Sequence, residues 1–214
     1  TARRPPYNRS SFLLHFHFAR RELGADRLHD VRAIGAMLPD LFRMASPRLR
    51  PTPAEAPPAT GDELRALLEG FDHHHAIDRW FHASRAFAEG ERDLKDRFLA
   101  ARSPKLVLFA HAAWEMCLDG AWLARDDAAA IRELAIAARA ARPHVRELAE
   151  LRGYYAAMSE SAGAEASKPV ASIERASFDT RLERIFDAIE DGMLYAAYAS
   201  ARGIARRVSG IRTA

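Results

Sequence analysis

Hydrophobic and polar positions recur with a helical period along nearly the whole chain, and glycine and proline cluster between the periodic runs. The first apolar run, 11–23, is rich in Leu and Phe and stops at Gly24. A shorter element follows within 26–45, broken around Pro39. The proline-rich stretch 46–61 reads as a surface loop. Residues 62–84 open with acids and continue as an amphipathic helix, and a polar helix follows within 86–102. Ser103-Pro104 starts a helix running to about Arg125, with proline at the favoured first position. The Ala/Arg/Leu-rich segment 127–158 is helical, with Pro143 marking a kink or junction. Small polar residues over 159–172 read as a flexible loop, and the last helix occupies 174–208. No repeat, βαβ alternation or hairpin signature is visible. The pattern predicts an all-α fold: a single bundle of about six or seven helices over 11–209, with an N-terminal arm at 1–10 and a tail at 210–214.

Composition agrees with a folded domain. The chain has 214 residues, enough to bury a core without disulfides or a structural metal, and 49% hydrophobic with 29% charged residues excludes a mainly disordered chain. Apolar stretches such as 106–113 are interrupted by His or charge well before the roughly 18 residues that a membrane span needs. No membrane partner is expected. The cations are 29 Arg and 3 Lys, yet the formal net charge is only +3, an excess too small and dispersed for a nucleic-acid binder. Cys117 is the one cysteine, which excludes an intrachain disulfide and fits a reducing compartment. Its apolar surroundings read as a core thiol rather than a nucleophile. No basic-then-apolar signal segment precedes the first helix, so a cytoplasmic location is expected.

The informative residues are polar ones on core-facing stripes. Seven of the nine histidines fall in three places: His15/His17, His73/His74/His75/His82, and His111. In the helix at 62–84, Leu64, Leu68 and Phe71 define a buried stripe at about 100° per residue. His75, Asp78 and His82 continue that stripe, with His74 at its edge, so an inward face turns from apolar to His/Asp. His74 and Asp78 are four apart and can converge on one point. In the helix at 104–125, apolar residues cover the whole circumference, which places it centrally. Yet His111, Glu115 and Asp119 form one stripe on it, flanked by Leu108 and Trp122. Buried carboxylates without compensation cost several kcal/mol each, so arginines such as Arg79 or Arg97, or metal ions, must neutralise them. His with Asp/Glu is the ligand mix of Zn, Mn and Fe sites. His15 and His17 lie in Phe12-Leu-Leu-His-Phe-His-Phe18, where a helical period separates them, and Asp40 ends a small/apolar run at a chain break, as a ligand or as a helix cap.

Ser11-Phe-Leu-Leu-His-Phe-His-Phe-Ala19, the run Gly35…Leu38-Pro-Asp40, and Gly70…His74-xx-Ile77-Asp78 occur in that order. In this the chain resembles the bacterial acyl carrier protein phosphodiesterases, a helical family distantly related to HD-domain phosphohydrolases. The resemblance covers roughly residues 11–125. It implies an HD-domain-like fold, a metal-dependent activity that removes the phosphopantetheine arm from a serine of acyl carrier protein, and site residues at His15, Asp40, His74 and Asp78. Where the family shows two aspartates four apart followed by His-Phe-Leu, this chain has His111 and Glu115 followed by Met116-Cys-Leu118.

The expected chemistry is hydrolysis of a phosphoester by one or two divalent metals, Mn or Fe ahead of Zn or Mg. His15, Asp40, His74, Asp78, His111 and Glu115 are the expected ligands. His82 or His17 would carry the proton to the leaving alkoxide, and Asp119 would orient a ligand histidine. Arg43 or Arg79 could hold phosphate bidentately. An acidic partner such as acyl carrier protein suits the basic exterior. Three alternatives remain open: a non-catalytic partner-binding bundle whose polar stripes are internal ion-pair networks, a DinB-like metal-binding bundle, and a degenerate relative that binds metal structurally and has lost activity.

Overall fold

A computed structural model of the chain describes residues 12–46, 49, 51, 61–156 and 168–192. Every regular element among them is a helix, as the hydrophobic period predicts. In chain order these are α1 (Phe12–Glu22), α2 (His29–Gly35), α3 (Leu38–Ala45), α4 (Asp62–His82), α5 (Arg85–Ala100), α6 (Pro104–Val107), α7 (Ala110–Leu151) and α8 (Lys168–Glu190). No described helix is long and apolar enough to cross a membrane. The arm at 1–10, the tail at 210–214, most of 46–61 and much of 159–172 lie outside the described residues.

Segment 31–42 is buried at every position, so α2 and α3 form the centre of the fold. The break falls at Ala36-Met37, and Pro39 sits in the first turn of α3, where its missing N–H costs nothing. α2 packs against α4 and α7, α1 lies across α2, α4 and α7, and α8 closes the core against α3 and α7. Phe16, Phe42, Phe71, Phe178 and Phe186 are all fully enclosed in this core. Each contributes about 1.5–3 kcal/mol through removal from water.

Two glycines allow the central crossing. A Cβ on Gly35 would lie 2.3 Å from the Leu67 carbonyl oxygen, and one on Gly70 would lie 1.9 Å from that of Arg32. Only bare backbone permits α2 and α4 to approach this closely. Arg32 is buried beside the crossing, its guanidinium taken by Asp26, Glu69 and the Leu23 carbonyl.

Three expected boundaries are corrected. The helix expected from 103 to 125 is interrupted after Val107, so Leu108 does not flank a buried stripe but is 72% exposed. Beyond the interruption, α7 runs unbroken for 42 residues, roughly 60 Å, through the junction expected near 126. Arg125-Asp-Asp-Ala-Ala-Ala130 holds no glycine or proline to stop it. Pro143 is accommodated inside α7 because it faces solvent, where water can satisfy the carbonyl it leaves unpaired. Finally, α8 begins at Lys168 instead of 174, taking the end of the loop expected at 159–172; of the helix expected to reach 208, residues beyond 192 lie outside the described residues.

Candidate metal centre

Five helices converge on one cleft of about 720 Å³. α1 supplies His15, α3 supplies Asp40 and Arg43, and α4 supplies His74, Asp78 and His82. From α5 come Glu91 and Lys95, and from α7 His111 and Glu115, with Val107 and Leu108 at the rim.

Local sequence explains how each side chain is presented. On α1, Leu13, Phe16 and Ala19 are the buried stripe, and His15 points inward beside it at 4% exposure. Asp40 occupies the first turn of α3, where the helix dipole favours a carboxylate, and it is 4% exposed. On α4 the spacing of four residues aligns His74, Asp78 and His82. Among the three consecutive histidines it is His74 that turns into the site, at 5% exposure. The stripe drawn through His75 is therefore off by about one residue. His75 packs on Phe71 instead, and His73 bonds Glu22 at 3.0 Å.

Two triads of potential ligands result. The ligand atoms of His15, Asp40 and His74 lie within 4.8 Å of one another, as do those of His82, His111 and Glu115. Asp78 stands between them, its Oδ1 3.8 Å from His15 Nε2 and 3.4 Å from His82 Nδ1. In the second triad, Glu115 Oε1 faces Nε2 of His82 at 3.0 Å and Nε2 of His111 at 3.1 Å. The neutralising partners of Glu115 are thus imidazoles, not the arginines that a conventional buried ion pair would use. Of the two arginines named for that role, Arg97 pairs with Asp93 on the outside of α5.

The electrostatics of the first triad favour a cation. Burial, reinforced by the neighbouring histidines, holds His15 well below the ordinary imidazole value and pushes His74 down to about 3. Both rings are neutral at physiological pH. His74 Nδ1 donates to the Ala36 carbonyl at 2.9 Å, which fixes the tautomer and leaves Nε2 with its lone pair. Two neutral imidazoles beside a buried carboxyl group offer nitrogen and oxygen lone pairs of the kind that divalent metals take.

The second triad is more balanced. Burial works against ionisation of Glu115, but the hydrogen bonds from His111 and His82 outweigh it and its pKa is lowered. The hydrogen bond to Glu115 outweighs burial at His111 and raises its pKa. Burial raises Asp78, partly offset by His82. Glu115 Oε2 is buried without a hydrogen-bond partner. A carboxylate oxygen left so costs several kcal/mol unless something positive meets it, and a divalent ion fits that need.

His17 and Asp119 are not brought into the cleft. His17 is half-buried, with its ring 5.1 Å from Trp122, so it is poorly placed to carry a proton. Asp119 is fully buried behind the site and accepts the Leu14 amide at 3.2 Å, anchoring the residue before His15. Through that bond it acts on the backbone that carries a ligand histidine. Cys117 is half-buried outside the cleft, and burial raises its thiol, as a core cysteine requires.

Sequence reasoning missed Glu91 and Lys95. They form an i, i+4 ion pair at 2.9 Å on the polar helix α5, a pattern that reads as solvated surface. Only the tertiary fold sets Glu91 3.6 Å from His111 Nδ1. Compared with known proteins, the chain matches no protein-family model, no curated protein and no solved structure.

Proposed function

We propose that the chain is a metal-dependent phosphohydrolase that cleaves a phosphoester in this cleft. One observation carries the reading: two His/carboxylate triads with Asp78 between them, lining a cleft that also holds Arg43 and Lys95. A buried network that served stability alone would have no need of an adjoining cleft.

His15, Asp40 and His74 would hold one divalent ion, Mn or Fe ahead of Zn or Mg, and His82, His111 and Glu115 could hold a second, with Asp78 shared. When bound, such ions polarise phosphoryl oxygens and lower the pKa of water toward neutrality. In the overall reaction water adds to phosphorus, the bond from phosphorus to the alcohol oxygen breaks, and the departing oxygen takes a proton. Of the two proton carriers expected, His82 lies in the cleft and His17 does not. With the second triad free of metal, His82 spans Asp78 and Glu115 through its two ring nitrogens and can pass a proton between the groups lining the site. Glu91 steadies His111 from outside.

The resemblance in the first half of the chain supports the phosphopantetheine arm of acyl carrier protein as substrate, and with it a cytoplasmic setting. The test is turnover of holo-acyl carrier protein and of simple phosphodiesters by protein loaded with Mn or Fe. Metal-dependent release of the arm supports the full reading, and release from simple diesters alone supports the reaction class without that partner. A second reading has its own support, because His82 and His111 already satisfy one oxygen of Glu115. It makes the chain a non-catalytic binding bundle, and it requires that chelators leave stability unchanged.

A further inference from the structure

We infer that Arg43 is the anion-binding residue of the cleft, gripping the non-bridging oxygens of a phosphoryl group set against His15, Asp40 and His74. This rests on the phosphohydrolase reading and adds the group that recognises the substrate's charge.

Arg43 follows Asp40 by three residues on α3, so both project from one face of a helix in which Leu38, Leu41 and Phe42 are fully buried. The scaffold beneath it is therefore rigid. It lines the cleft together with the first triad, whereas Arg79, the other phosphate-binding candidate, is exposed and does not. Among the described residues Arg43 makes no ion pair, which sets it apart from the other half-buried or buried arginines. Arg32 is held by Asp26 and Glu69, Arg142 by Glu183, Asp187 and Glu190, and Arg20 by Asp30 and Glu133. Lys95, the other cation in the cleft, is engaged by Glu91. A guanidinium held near a carboxylate cluster yet bonded to none of it has donors free for a ligand. The planar fork matches two phosphoryl oxygens.

The experiment uses the full chain loaded with Mn and titrates inorganic phosphate calorimetrically against wild type, R43Q and R43K, with metal content measured on the same samples. Loss of charge-assisted hydrogen bonds should weaken phosphate binding about 10- to 100-fold in R43Q. R43K, which keeps the charge but loses the fork, should fall between R43Q and wild type, and metal content should match wild type in both. If R43Q does not fold, R43K decides alone, and affinity equal to wild type overturns the inference. Unchanged affinity in R43Q with full metal content also overturns it while leaving the phosphohydrolase reading standing. Failure of the wild type to take up metal removes both.

Discussion

His74 donates from Nδ1 to the carbonyl of Ala36 at 2.9 Å, and this bond joins the centre of the fold to the candidate metal site. It exists because α2 and α4 cross with Gly35 and Gly70 at the contact. The same crossing that buries Ile34 and Leu67 therefore aims a neutral imidazole at Asp40 and His15.

Gly70→Ala tests that link. The added Cβ would meet the Arg32 carbonyl at 1.9 Å, so the helices must separate. Overpacking of this kind costs about 1–3 kcal/mol or more. Gly61→Ala, where no atom lies within 4 Å, is the control and should change stability by less than about 1 kcal/mol. Urea unfolding measures both. Equal stability of the two variants would mean that the crossing is not tight in solution.

Asp78→Asn keeps the shape of the side chain and removes the charge shared between the triads. Metal affinity should drop about 10-fold or more while the helical circular dichroism is retained. Competition with a chelating dye gives the affinity, and full retention of metal would place Asp78 outside the ligand set.

Acid should destabilise the metal-free protein. His74 at about 3, His75 at about 4 and the lowered His15 all lie below the unfolded value near 6.5, in each case chiefly because of burial. The unfolded chain then binds more protons than the folded one as pH falls below 6.5. The stability these groups contribute is complete above that value and is lost between about 6.5 and 3. The raised His111 and Asp78 act in the opposite sense, and the lowered Glu115 acts in the same sense as the three histidines. The urea midpoint of chelated protein should therefore be lower at pH 5 than at pH 8, and a higher midpoint at pH 5 would contradict the burial of these rings.

Arg142 fastens α8 to α7. It bonds Glu183 at 2.9 Å, Asp187 at 2.8 Å and Glu190 at 2.9 Å, and Arg139 and Arg146 add to the same row. Arg142→Ala would leave three carboxylates along one face of α8 without their shared cation, at a cost of about 1–2 kcal/mol that shrinks in high salt. Metal binding should be unaffected because this row lies outside the cleft. A salt-independent loss would assign the effect to packing instead.

The helical class and most site residues were legible because burial leaves a periodic trace, and a polar residue on a core stripe interrupts it. His111, Glu115 and the pair His74/Asp78 stood out in that way. The break in 26–45 was legible near Pro39 but falls at Ala36-Met37, because Pro39 fits the first turn of α3. The junction expected near 126 is absent, because no glycine or proline there stops α7. Glu91 and Lys95 resembled a surface pair because their partners come from a distant segment. His17 was misplaced for the converse reason: two residues of helix turn it some 200° away from His15, toward Trp122.

The most direct test of the metal centre is elemental analysis of protein purified without chelator or a metal-affinity tag, with the stoichiometry compared between wild type, D78N and E115A. At least one divalent ion per chain in the wild type, reduced in both variants, is the predicted result. A metal-free wild type whose stability is the same with and without added Mn or Fe would contradict it, and would make the buried histidines and carboxylates a network that needs only itself.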